Sequence, residues 1–348
     1  DIKTSGYKIH LNIDLKAQEL AREALRYGHS DIVKRMNVSH EALKEFVGYK
    51  EIKEFNISQA YLDNSTNVSH YYNNANSSNA NNSLNITQNE FNATKALNKK
   101  LDLLNGAMIV TQAKTGNILA LVGGVDYTKS SFNRVTQSIR QPGSLIKPFI
   151  YLIALNSGYS IDSPIADISR NYQYEEVAKK VEANTSNDDI NSNTSNNLSI
   201  QSNENTQALS TIKRWSPKNY ANNYKGIITL KTALTNSINL ATINLVSELG
   251  LKNVYRKLLY FGFKDIPKDM SITLGSFGVS PFVMSEQFSI FSNDGNKITP
   301  KLINYVFDNQ NNIAYFDTQE KSITTKEQAF LLTSILNNVV NKGTGRKA

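Results

Sequence analysis

The stretch "RQPGSLIKPFIYLIAL" at 140–155 constrains the fold more than any other part of the chain. Its run "FIYLIAL" (149–155) carries no charge. It is far shorter than the roughly 20 residues that cross a membrane. It therefore predicts a buried helix or strand, and a helix that is apolar on every side has to be enclosed by other elements. Ser144 and Lys147 stand three apart at its entry, so on a helix they share one face. Pro142 and Gly143 punctuate that entry and place Ser144 at a helix start. Unpaired N–H groups and the positive dipole end favour developing negative charge there. The apolar run draws Lys147 toward low dielectric, which lowers an amine pKa from about 10.4 toward the range of a useful base. Pro148 reads as a breach of helix rules, because it cannot donate to the Ser144 carbonyl and crowds it.

The chain of 348 residues has room for two ordinary domains or one large one, and its hydrophobic content of 40% is adequate for a core. There is no cysteine, which excludes disulfides, thiol nucleophiles and Cys-ligated zinc. The four histidines, His10, His29, His40 and His70, show no H-E-x-x-H spacing, so no metal or other cofactor is expected. The net charge of +8 is spread along the chain without a Lys/Arg run. No nucleic-acid partner is expected, and weak attraction to anionic lipid or wall polymer stays open.

"YKIHLNID" (7–14) alternates, with Tyr7, Ile9, Leu11 and Ile13 on one strand face and His10 on the other, solvated one. Asp14 is placed to cap a following helix with an apolar stripe of Leu15, Leu20, Ala24 and Leu25. Two Asn/Ser-rich tracts, 56–100 and about 184–207, lack the composition to bury a core and predict mobile surface insertions. Their Asn-x-Ser/Thr sequons, Asn64 and Asn184 among them, are what such filler makes by chance. "AMIVTQ" (107–112) and "NILALVGG" (117–124) predict two strands joined at "AKTG", so Lys114-Thr115-Gly116 falls at a hairpin tip.

Ser-x-x-Lys also occurs at Ser5–Lys8 and Ser210–Lys213, but only Ser144 has the Pro-Gly entry and the apolar run. "LTNSINLATINL" (234–245) adds Ser237-Ile-Asn239. The Ser237 hydroxyl can relay a proton to or from Ser144 and Lys147, and the Asn239 amide can hold a substrate peptide bond. Ser-x-Asn recurs at Ser65–Asn67 and Ser131–Asn133, so order and flanks carry the signal.

With those flanks the chain resembles the transpeptidase domain of class A penicillin-binding proteins. The matching stretches are "KTGNILALVGGVDY", "FNRVTQSIRQPGSLIKPFIY", "WSPKNY", "KGIITLKTALTNSINLATINL", "TLGSFGVSPFVMS" and "NKGTGRKA". "GYKIHLNIDLKAQELAREAL" is similar to the linker between that family's glycosyltransferase and transpeptidase domains. The resemblance implies an α+β fold of the penicillin-binding/serine β-lactamase type, helices around an antiparallel sheet. It divides the chain into a linker segment (1–55), the first insertion (56–100) and a transpeptidase domain (101–348) interrupted at about 184–207.

The same resemblance implies acyl transfer through a serine, on the D-Ala-D-Ala end of peptidoglycan stem peptides. Ser144 is then the nucleophile, Lys147 its general base, Ser237 the proton relay and Asn239 a substrate-binding residue. The Ser144 N–H supplies one oxyanion donor. In the family the catalytic K-T-G follows these motifs, so both Lys114–Gly116 and "KGTG" (342–345) are decoys, and the chain is expected to stop before the true motif, impaired by that truncation. β-Lactams are the implied inhibitors and the cell-wall synthesis machinery the implied partner. The implied location is the periplasmic face of the inner membrane, through an N-terminal anchor outside this chain. A non-catalytic β-lactam-binding or scaffold module and a degenerate remnant of a split gene remain as alternatives.

Overall fold

The computed structural model describes residues 6–38, 104–177, 210–308 and 310–346. Both Asn/Ser-rich tracts, with Ser5, Ser65, His40 and His70, lie outside them. In chain order the elements are β1 (Lys8–Leu11), α1 (Leu15–Val38), β2 (Met108–Thr111), β3 (Ile118–Val122), a 3-10 turn (Gly143–Ile146) and α2 (Lys147–Asn156). Then come β4 (Pro164–Asp167), β5 (Tyr172–Val177), β6 (Ser210–Trp215), β7 (Gly226–Thr229), α3 (Leu230–Thr235), α4 (Asn239–Leu249), α5 (Leu251–Phe261) and a second 3-10 turn (Met270–Leu274). The chain continues with α6 (Pro281–Ser292), β8 (Asn296–Ile298), β9 (Ile303–Phe307), β10 (Ile313–Tyr315), β11 (Glu320–Ser322) and α7 (Lys326–Lys342). Among the described residues the named strands all pair antiparallel, and the isolated bridge Asn117–Lys301 is parallel. Among the described residues no helix is long and apolar enough to cross a membrane.

The chain divides into two compact units. The first joins Asp1–Gln141 to Phe277–Phe330. It contains the three-stranded sheet β1-β9-β10, the β2-β3 hairpin and the β8-β11 pair. Asp14 caps α1 as expected, its carboxylate accepting the Ala17 N–H at 2.7 Å. The inward face of α1 differs from the expected stripe. Ala17, Ala21 and Leu25 pack on Ala120, Val122, Met108 and Val110, while Leu15 and Leu20 are 83% and 56% exposed. Two alanines let α1 approach the hairpin closely enough for the Gln18 side chain to hold Leu121. It donates to the Leu121 carbonyl (3.1 Å) and accepts the Leu121 N–H (2.8 Å), satisfying backbone groups of β3. The apolar face expected on β1 is not covered: Ile9 and Leu11 are exposed, and so is His10, as expected, although its ring also stacks on Tyr305 at 4.3 Å.

The second unit joins Pro142–Ser276 to Leu331–Ala348 and is built around α2. Every residue from Lys147 to Leu155 is buried. Phe149 meets Phe263 edge-on at 5.0 Å. On α4 the run Leu240–Val246 is fully buried, and its polar members all find partners. Asn244 donates to the Ala166 and Ile168 carbonyls (2.8 and 3.0 Å) and accepts from the Tyr172 hydroxyl (2.5 Å), which fastens β4 to α4. Thr242 pairs with the Tyr151 hydroxyl at 3.2 Å. This mixture of buried helices and antiparallel strands is the α+β class expected from the sequence.

Candidate active site

Ser144 sits in the first 3-10 turn, which is held by a contact between two backbones. Gly143 has φ +56° and Gly275 has φ +66°. A Cβ on Gly275 would lie 2.7 Å from the Gly143 nitrogen and 3.0 Å from its carbonyl carbon. Only glycine at 275 admits this approach, in which the Gly143 N–H points to the Gly275 carbonyl at 3.4 Å. In a 3-10 turn residues three apart eclipse, so Ser144 and Lys147 lie on one side, and the Lys147 N–H donates to the Ser144 carbonyl. The expected breach at Pro148 does not occur. The α-helix begins only at Lys147, so Pro148 stands in its first turn, where no N–H is needed and the fixed φ of proline is favourable.

Lys147 is 1% exposed. Its ammonium donates to the Ser237 carbonyl (2.6 Å), the Asn239 Oδ1 (2.7 Å) and the Ser237 Oγ (3.1 Å). Three protons meet three acceptors, none of them a carboxylate. Burial pushes its pKa down to about 8. On losing a proton the amine keeps two N–H groups. The Ser237 carbonyl and Asn239 Oδ1 can only accept, whereas the Ser237 hydroxyl can reverse and donate. Deprotonation of Lys147 and reorientation of Ser237 are thereby coupled. The Ser144 hydroxyl is exposed and makes no hydrogen bond among the described residues.

Ser237 reaches Lys147 because α3 ends in a Schellman motif. The Ile238 N–H bonds the Ala233 carbonyl (3.0 Å), and the Ser237 N–H bonds the Leu234 carbonyl (2.9 Å). The left-handed residue of that motif is usually glycine; here it is Ser237, at φ +51°. Strain of about 1–2 kcal/mol is kept at the residue that offers Lys147 two acceptors.

Asn239 opens α4 and is held from behind by residues the sequence reading did not single out. Its amide donates to the Lys218 carbonyl at 3.3 Å. Asn219 accepts the Leu240 N–H at 3.0 Å and donates to the buried Asp167 carboxylate at 2.7 Å. Asp167 also accepts the Lys225 N–H at 2.9 Å. The available signal was the stretch "WSPKNY", which contains Asn219.

The structure accounts for the competing motifs. Lys114 belongs to the first unit, at the β2-β3 tip, and pairs with Asp294 at 2.6 Å with side chains 59% and 49% exposed. "KGTG" at 342–345 ends α7, where the Gly343 and Gly345 N–H groups both bond the Val339 carbonyl (3.1 and 3.0 Å). Ser210–Lys213 lies within strand β6, so its spacing has no helical meaning. Among the described residues no three His, Asp or Glu side chains cluster as a metal site.

A family described as "Penicillin binding protein transpeptidase domain" matches residues 106–194 and 189–348. Penicillin-binding protein 1A of Neisseria flavescens is 32% identical over 257 residues, which cover 71% of this chain and 28% of that one. Penicillin-binding protein 1B of Haemophilus influenzae is 29% identical over 248 residues, covering 70% of this chain and 27% of the relative. The chain thus spans little more than a quarter of these relatives. The crystal structure of penicillin-binding protein 1A from Haemophilus influenzae shares the fold, with a TM-score of 0.66 at 21% identity, over 99% of this chain and 56% of that one. An eclipsed Ser144 and Lys147, a buried lysine shared by Ser237 and Asn239, and these matches have one reading: the chain belongs to the penicillin-binding protein transpeptidase family.

Proposed function

We propose that the domain to which this chain belongs serves D,D-transpeptidation on peptidoglycan stem peptides, with Ser144 as nucleophile. The observation that carries the reading is the buried Lys147, its pKa about 8, bonded to Ser237 and Asn239 one turn from Ser144. At pH 7 a pKa of 8 leaves about a tenth of the amine neutral, against roughly 3 in 10,000 for an unperturbed lysine. Neutral Lys147 takes the Ser144 proton as Oγ attacks the carbonyl of the penultimate D-Ala. The Ser144 N–H lies in the first turn of the 3-10 segment, where that turn offers it no acceptor, and is one donor to the oxyanion. The tetrahedral intermediate collapses with cleavage of the C–N bond. The proton passes from Lys147 through Ser237 to the departing D-Ala amine, leaving an ester on Ser144. An amine of a neighbouring stem peptide then attacks the ester, forming the cross-link and restoring Ser144; water in its place gives the carboxypeptidase product. Asn239, fixed between Lys218 and Lys147, orients the substrate peptide.

A β-lactam follows the first half of this path, with the opened ring nitrogen staying tethered. The reading places the reaction at the outer face of the cytoplasmic membrane, among the cell-wall synthesis machinery. The test is release of D-Ala from a pentapeptide substrate by the intact protein between pH 6 and 9.5. Acylation should rise about tenfold per pH unit up to about pH 8 and then level off. A flat profile would remove Lys147 as the base.

A further inference from the structure

A cavity of about 510 Å³ opens in the first unit between α1 and the loop that follows β3. Its size is that of a small-molecule site. Gln18, Arg22 and Arg26 line it at four-residue intervals, so they share one helix face. Gln18 is fixed on the Leu121 backbone, which sets the rotation of α1 and so directs the two arginines over the loop. Neither guanidinium has a hydrogen bond or ion pair among the described residues.

The loop itself is braced. The Arg134 N–H donates to the Gly123 carbonyl at 2.9 Å. Its guanidinium donates to the Phe132 carbonyl (3.0 Å) and to Ser130 Oγ (3.3 Å). Asp126 is the one carboxylate lining the cavity. Its Oδ1 accepts from the N–H and the hydroxyl of Thr128 (2.9 and 2.7 Å), which ties one of its two oxygens to its own loop. The cavity is thus lined by two arginines, one helical turn apart and uncommitted among the described residues, against a loop that carries several hydroxyl groups.

We propose that this cavity binds a diphosphate group. Side chains four apart on a helix leave their Cβ atoms roughly 5–6 Å apart. Each guanidinium offers a planar fork that grips one phosphate in bidentate fashion. From Cβ atoms at that spacing the two long side chains can converge on two phosphates joined through one oxygen. A single phosphate or sulfate engages only one of them, and the volume beyond the diphosphate admits an ester substituent.

The probe is inorganic pyrophosphate, titrated into the intact protein by calorimetry at fixed ionic strength. Saturable binding is expected, with orthophosphate and sulfate weaker by about tenfold or more. Arg22→Gln and Arg26→Gln should each weaken pyrophosphate binding by about tenfold or more, the loss of a charge-assisted pair. Arg22→Lys and Arg26→Lys keep the charge and lose the fork, so each should bind more weakly than the parent and more tightly than its glutamine counterpart. Unchanged circular dichroism in the lysine variants guards against misfolding. Vesicles carrying farnesyl diphosphate distinguish the sources of the group: tighter, arginine-dependent binding than to pyrophosphate assigns the site to a lipid-borne diphosphate, and equal binding assigns it to a soluble one. Pyrophosphate binding no tighter than sulfate, or unchanged in both glutamine variants, overturns the proposal, because the net charge of +8 alone would then explain the attraction.

Discussion

Lys147 should make this protein more stable as the pH rises from 8 toward 10. Its pKa falls from 10.5 in the open chain to about 8 in the fold, with burial as the cause. Below pH 8 both states carry the proton, and the folded state bears the cost of a buried cation. Above pH 8 the folded state releases the proton while the unfolded chain keeps it. The unfolded state then binds more protons, so stability rises with pH. A shift of about 2.5 units corresponds to about 3 kcal/mol over the whole window, at 1.36 kcal/mol per unit. The upper end is masked by Tyr151, whose phenol burial pushes up from 10.0, so stability falls again once unfolded tyrosines ionise. Between pH 8 and 9.5 the lysine alone should add about 2 kcal/mol. Lys147→Met removes this gain. The variant trades the buried cation for unpaired acceptors at Ser237 and Asn239, each costing about 1–3 kcal/mol, so the two effects oppose each other at pH 7 and the pH slope is the cleaner readout. The assay is urea unfolding followed by the fluorescence of Trp215, the single tryptophan, which lies in the unit that holds Lys147. The quantity read is the difference between parent and variant at each pH. Parallel curves would refute the reasoning, because Lys147 would not then titrate in this window.

Lys147→Ala should slow penicillin acylation by about 10²–10⁴, the usual loss of a general base, whereas Lys114→Ala, which opens an exposed pair with Asp294, should leave it within about twofold. Gly275→Ala puts a methyl into the Gly143 backbone and should cost about 1–3 kcal/mol by urea unfolding, with a larger fractional loss in acylation as the Ser144 turn is displaced. Ser237→Gly should be about 1 kcal/mol more stable than Ser237→Ala, because only glycine relieves the left-handed strain. Both should acylate slowly for want of the hydroxyl, and an active Ser237→Ala would remove Ser237 as the relay.

The elements that carry Ser144 and Lys147 are the most legible part of the sequence because their signals are local. The Pro-Gly entry, the three-residue spacing and the apolar run together fix where Ser144 and Lys147 stand. The letters do not show where a 3-10 turn gives way to an α-helix, and that boundary decides whether Pro148 offends. The inward face of α1 is hidden in the sequence because leucine outranks alanine on hydrophobicity. Close packing selects small side chains instead, and the bond that sets the helix rotation joins Gln18 to Leu121, 103 residues away. Asp167 and Asn219 are silent in the sequence for a similar reason. A buried carboxylate signals its role only through its partner, which here is 52 residues distant. Gly275 gains meaning only beside Gly143, a contact that no local pattern announces.

The central claim is that Ser144 is the residue acylated. It is tested most directly by treating the intact protein with benzylpenicillin, digesting it and locating the adduct by fragment-ion mass spectrometry. The account predicts one penicilloyl group, on Ser144 in the segment 141–147, absent from Ser144→Ala. An adduct on Ser237, on Ser210 or on any other side chain, or a protein that is not labelled at all, would contradict it.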